Sequence, residues 1–127
     1  MRLLSIHARS FSYRVVEKAV EEPEPLDQAS VEGIFENSLV VFLTIEAEDT
    51  ADLVEEASSE ILSISNQVKP SIIVLYPYAH LSSQLAPPHK AIEVLSALYK
   101  ALSQRSSIPV HKAPFGWYKS FKLECYG

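Results

Sequence analysis

The sequence predicts an α/β fold, a mixed β-sheet with two helices packed on it, and three observations point there. Residues 38–45 (SLVVFLTI) and 71–76 (SIIVLY) are nearly continuous in apolar and β-branched side chains, as strands buried on both faces are. Between them, Leu53, Val54, Ala57, Ile61, Leu62 and Val68 recur near helical spacing with acids on the opposite face. Further on, Ile92, Leu95, Leu98, Tyr99 and Leu102 form a second stripe of the same period. Strands alternating with helices in one chain call for a layer of helix on sheet.

The elements follow in order. Residues 2–8 open with apolar positions around the β-branched Ile6, and residues 11–17 alternate well enough to be their hairpin partner. The run Glu21-Glu22-Pro23-Glu24-Pro25 alternates acids with prolines, holds neither a helix nor a central strand, and reads as a surface loop. After the strand at 38–45, the first helix starts near Thr50 with Asp49 or Thr50 as N-cap, and Pro70 marks its end. Pro77 stops the strand at 71–76, and Pro87-Pro88 opens the second helix, 88–105. Residues 108–112 and 118–126 are the last two strands. The expected order is β-β-β-α-β-α-β-β, in one domain over 1–127, without repeats or linkers.

Composition bounds the function. With 47% hydrophobic and 21% charged residues, the chain reads as a folded globular domain. No apolar run reaches the ~20 residues of a membrane span. The opening residues are too brief for a secretory signal, so a cytoplasmic location is expected. The single cysteine, Cys125, makes no internal disulfide, and no Cys/His cluster has zinc spacing, so neither metal nor cofactor is expected. The net charge of −5 argues against broad nucleic-acid binding. Charge is uneven, however: residues 1–85 carry 14 acids against five Lys/Arg, whereas 86–127 carry two acids against six. That pattern is either scatter of solvated side chains or a C-terminal face that meets a small anionic partner, such as the end of an RNA.

Two stretches combine reactive groups with backbone constraints. Tyr76-Pro77-Tyr78-Ala79-His80-Leu81-Ser82-Ser83 follows a buried strand, where open α/β sheets collect ligands, and a histidine there serves as acid, base or positioner, or is simply structural. His7, His89 and His111 have weaker claims, though His7 closes a strand beside the same sheet. Lys112-Ala113-Pro114-Phe115-Gly116-Trp117-Tyr118-Lys119 turns sharply at Pro114 and Gly116, and Gly116 admits close approach to the backbone. Its aromatics are the composition of a core, or of a wall that stacks a nucleobase. Lys119 is a snorkelling surface lysine or the partner of a phosphate or carboxylate. No dinucleotide, P-loop, serine-elbow or zinc-protease motif is present.

Residues 76–86 (YPYAHLSSQLA) and 112–127 (KAPFGWYKSFKLECYG), with the opening MRLLSIHA, closely resemble the N-terminal editing domain of archaeal threonyl-tRNA synthetases. The resemblance covers nearly the whole chain. It implies the D-aminoacyl-tRNA deacylase-like fold, a homodimer, and hydrolysis of the ester in L-seryl-tRNA(Thr) at the 3′ end of the aminoacylated tRNA. It also implies a link to a threonyl-tRNA synthetase catalytic core. A missing methyl is worth only ~1–3 kcal/mol of discrimination in a synthetic site, which is the physical need for a second pocket.

Carried over by position, the resemblance implies that Pro77, Tyr78, Ala79 and His80 line one side of the site, Ala79 through its main chain. Phe115, Gly116, Tyr118 and Lys119 line the other. His80 and Lys119 then position water and substrate and stabilise developing charge, with the terminal adenosine 2′-OH assisting the attacking water. Main-chain groups from Val41 to Thr44 wall the amino-acid pocket. Family members usually continue beyond the position of Gly127 with a glutamate belonging to the site, so the chain reads as part of a longer protein or as an abrupt natural end. A D-aminoacyl-tRNA deacylase and a non-catalytic dimerisation or tRNA-docking module are the alternative readings.

Overall fold

A computed structural model describes all residues, 1–127. Five strands form one sheet, β1 (Arg2–Lys18), β2 (Glu32–Thr44), β3 (Ile72–Pro77), β4 (Val110–Lys112) and β5 (Trp117–Cys125), in the spatial order β4-β3-β2-β1-β5. Two helices, α1 (Leu53–Val68) and α2 (Pro88–Arg105), make the crossovers. β1 is antiparallel to β2 and β5, while β2, β3 and β4 run parallel. The sheet is therefore mixed, with two packed helices as expected, and no helix is long and apolar enough to cross a membrane.

The central strands are buried on both faces. Leu39, Val41 and Leu43 of β2 and Ile73 and Leu75 of β3 point to the helices, meeting Ile61, Leu95, Leu98 and Leu102 in the larger core. Val40, Phe42, Val74 and Tyr76 point the other way and join Ala8, Phe11, Tyr13 and Ala113 in an aromatic core. Phe11 lies at its centre, edge-on to Tyr76 at 5.5 Å and to Phe42 at 6.1 Å between ring centroids.

The expected hairpin between residues 2–8 and 11–17 does not form; both belong to the single strand β1. Neither glycine, asparagine nor proline stands at Arg9-Ser10 to take a tight hairpin turn, and β1 instead slips register against β5 there, a bulge that changes the phase of its alternation. Ala8 faces the aromatic core, and beyond the bulge Phe11 and Tyr13 do. β2 changes phase at the same level, at Asn37, whose φ of 46° is left-handed. It also begins six residues before the expected Ser38, through Glu32–Asn37.

α1 starts at Leu53 with Asp52 in the cap position and no side-chain cap bond, rather than at Thr50. Asp49 is engaged elsewhere, accepting from the Met1 ammonium at 2.6 Å and from the Glu46 backbone N–H at 2.7 Å. The helix ends before Pro70 as expected, with Lys69 left-handed at φ 53° and its N–H donating to Ser65 O. α2 spans the expected residues, with Pro88 at its first position.

Leu75 of β3 is fully buried between the sheet and the helices. Leu75→Ala is expected to lower unfolding free energy by roughly 2–5 kcal/mol in a urea titration, the cost of the lost burial and the cavity left behind.

Candidate functional site

The site is built where the parallel strands end. β3 pairs with β2 up to Leu43↔Pro77, and Pro77 has no N–H with which to extend the ladder. Tyr78 N–H then donates to Leu43 O at 2.8 Å, the Thr44 hydroxyl donates to Tyr78 O, and the chain turns through a short 3₁₀ segment, Ala79–Leu81. His80, exposed, packs edge-on to the Tyr78 ring at 4.8 Å.

The facing wall is the turn between β4 and β5. Gly116 adopts φ +89°, and a Cβ there would lie 2.8 Å from both Pro23 Cβ and Val20 Cγ2. Only glycine suits both that conformation and the pressing proline loop. Glu24 secures the turn. Its carboxylate accepts from Phe115 N–H at 2.9 Å and pairs with the half-buried Lys112 ammonium. Its backbone N–H donates to Phe115 O at 3.0 Å, and its backbone O accepts from Trp117 Nε1 at 2.8 Å.

Between the walls lies a cavity of about 610 Å³. All eight expected site residues line it: Pro77, Tyr78, Ala79 and His80 on one side, Phe115, Gly116, Tyr118 and Lys119 on the other. Lys119 Nζ donates to Trp117 O at 3.1 Å and stands 5.1 Å from the centroid of the Tyr76 ring. Burial lowers its pKa to about 8, with Lys112 adding to the fall and Glu24 opposing it. The same burial raises the Tyr76 phenol to about 12, helped by Tyr78.

Some expectations need correction. Val41 and Phe42 face the two cores, so the β2 contribution to the cavity comes from Leu43 and Thr44, followed by Ile45. Three of the six bases in the C-terminal third are engaged within the fold: Lys112 with Glu24, Arg105 with Glu55 and Ser59, Lys90 with Ala47 O. Lys119 is the one cation among the cavity's lining residues. His7 bonds Asn37 Oδ1 at 2.8 Å, and His111 lies 2.7 Å from the Tyr13 hydroxyl, both away from the cavity.

Sequence reasoning missed the Pro-rich loop as part of the site, although the acid between two prolines was its visible signal. It also missed the anchor of the opposite lip. Ser82 donates to Glu46 at 2.6 Å, and Glu46 also takes the Met1 ammonium at 3.0 Å. The Ser82 hydrogen bond and then the ammonium hold the Glu46 carboxyl down at about 2. Burial would lower the ammonium's own pKa, but Asp49 and Glu46 outweigh it and raise that pKa.

The family model for the archaea-specific editing domain of threonyl-tRNA synthetase matches residues 1–127. The chain belongs to that family. This editing domain is 53% identical, over its full length, to a threonine–tRNA ligase of Caldivirga maquilingensis and 51% identical to that of Staphylothermus marinus, spanning 21% of each. It is 44% identical to a threonine–tRNA ligase editing subunit of Saccharolobus solfataricus, covering 100% of this chain and 32% of that one. The editing domain thus spans about a fifth of the ligases it matches. Its fold is shared by the c-Myc DNA unwinding element binding protein, with TM-score 0.72, 15% identity, and coverage of 98% of this chain and 91% of the other.

Replacing Gly116 of the editing domain by alanine forces a Cβ against Pro23 in a left-handed conformation. A loss of roughly 1–3 kcal/mol is expected in denaturant titration. A red shift in the emission of Trp117, the single tryptophan, is expected with it, as the turn moves off the loop.

Proposed function

We propose that this editing domain hydrolyses the ester of L-seryl-tRNA(Thr) and spares threonyl-tRNA(Thr). The observation that carries the reading is the convergence of the eight expected residues on one cavity, with Lys119 as its cation. A serine side chain differs from threonine by one methyl, and such a difference is rejected by a rigid wall better than by attraction. Here a stretch of backbone is braced on each side of the cavity: the Pro77–Ala79 turn, fixed by Thr44, and the Phe115–Gly116 turn, fixed by Glu24.

On this reading the terminal adenosine of the tRNA stacks on the aromatic lining, where Tyr118 and Phe121 are exposed. Water attacks the ester carbonyl with help from the adenosine 2′-OH. A carbon–oxygen bond to water forms, the bond to the ribose 3′-oxygen breaks, and that oxygen leaves with a proton. His80 positions substrate and water, and Lys119 stabilises the negative charge that develops on the carbonyl oxygen. No covalent intermediate is required. The homodimer belongs to the same proposal: Ile34, 83% exposed, and Val16, 64% exposed, are apolar surface that a second copy would cover. Sedimentation showing only a 14.2 kDa species would remove it.

Incubation with L-seryl-, L-threonyl- and D-aminoacyl-tRNA tests the reading. Fast release of serine alone is expected. Equal release of threonine sinks the proofreading assignment, preferential release of D-amino acids makes this a D-aminoacyl-tRNA deacylase, and no release leaves a docking module. His80→Ala and Lys119→Met are each expected to slow serine release by roughly 10²–10³-fold.

The pH dependence follows from Lys119. Its lowered pKa keeps it charged below about pH 8 and neutral above. Serine release is therefore expected to decline as pH rises through about 8, and in Lys119→Arg that alkaline decline is expected to disappear.

A further inference from the structure

The Pro-rich loop presses on Gly116 through Pro23 and carries one charged residue, Glu24, whose contacts converge on the turn that leads into Lys119. Glu24 stands between two prolines that restrict its backbone, so its carboxylate reaches Phe115 N–H and Lys112 from a stiff support. Both oxygens are engaged, one by the amide and one by the ammonium. Four polar contacts thus tie a single loop residue to Lys112, Phe115 and Trp117, the stretch immediately before Lys119. Lys119 closes the circuit by donating to Trp117 O.

We propose that Glu24 is a positioning residue of the editing site, acting on Lys119 through its pair with Lys112 and through the Phe115–Trp117 backbone. The proposal rests on the deacylase reading for its catalytic consequence. The titratable groups around Lys119 are Tyr76 of β3, Lys112 of β4, Glu24 of the loop, Tyr78 and His80 of the turn, Tyr118 beside it on β5, and Glu17 of β1, whose partner in the sheet is Tyr118. Of these, Glu24 favours the charged lysine and Lys112 disfavours it. A positioning role acts with a sign: neutralising Glu24 makes the Lys119 ammonium easier to deprotonate, and neutralising Lys112 makes it harder. Loose packing of the turn has no such sign and moves both variants alike.

The experiment uses Glu24→Gln and Lys112→Met in the full chain, with two readouts. Without substrate, the Lys119 side-chain resonance is titrated by NMR against pH. With L-seryl-tRNA, kcat and KM for serine release are measured across pH. The Lys119 midpoint is expected to fall in E24Q and to rise in K112M, by about half a unit or more in each. The alkaline limb of kcat is expected to follow in the same directions. Midpoints that stay put, or that move the same way in both variants, overturn the proposal. If E24Q melts below the assay temperature, its Lys119 midpoint is read at a temperature where the variant stays folded, and a midpoint that does not fall there overturns the proposal. Shifts of opposite sign in a wild-type chain that releases no serine would uphold the positioning by Glu24 and remove the deacylase reading. Serine release with unmoved midpoints would do the reverse.

Discussion

The parallel register between β2 and β3 is the constraint on which the rest depends. Leu39, Val41 and Leu43 must face the helices while Val40 and Phe42 face the aromatic core, and β3 repeats the rule with Ile73 and Leu75 against Val74 and Tyr76. A slip of one residue would exchange the two sets, forcing Phe42 and Tyr76 into a helix-packed layer shaped for Leu and Ile. Because that exchange is blocked on both faces at once, Pro77 is held opposite Leu43. The ladder stops there because proline offers no donor. The turn bearing Ala79 and His80 is thus placed by the packing of residues 39–43 and 73–76.

The other half of the site is placed by a different kind of force. β4 is only three residues long, so the sheet alone holds the turn after it weakly. The Pro-Glu-Pro loop supplies what β4 lacks: van der Waals pressure from Pro23 on Gly116 and hydrogen bonds from Glu24 on either side of it. The ion pair is largely buried, with side-chain exposures of 14% and 20%, and such a pair fixes geometry more dependably than it adds stability. Placing Lys112 there also leaves Lys119 as the one lining cation, on the face of Tyr76 and partly desolvated.

What the sequence disclosed and what it hid follow from the range of the interactions. The apolar runs at 38–45 and 71–76 and both helical stripes were legible because burial imposes its period on consecutive residues. Pro77 and Gly116 were legible because their backbone constraints are intrinsic. β1 was misread as a hairpin because its phase change at Arg9 resembles a break, and the matching distortion at Asn37 lies 28 residues away on another strand. Glu24 was hidden for the same reason: an acid between prolines looks solvated until a residue 91 positions later offers its amide. The grouping of the eight site residues came from the resemblance, since nothing in their spacing brings residue 77 to residue 119.

Selection by exclusion needs walls that do not yield, and the site is braced from three directions. Thr44 and Leu43 tie the Tyr78 peptide to the end of β2. Glu46, itself held by the Met1 ammonium, ties Ser82 and so the far end of the 3₁₀ turn. Glu24 ties the Phe115–Trp117 turn. Each brace acts on backbone or on a short side chain, where little rotamer freedom remains to absorb an extra methyl. A pocket lined by flexible side chains would accommodate that methyl at the cost of a rotamer change, about 0.5–1.5 kcal/mol. Main chain fixed at both ends has to break a hydrogen bond to do so, and its buried partner is left unsatisfied at about 1–3 kcal/mol. On the proposed reading, that difference is what lets the braced backbone of the site separate serine from threonine.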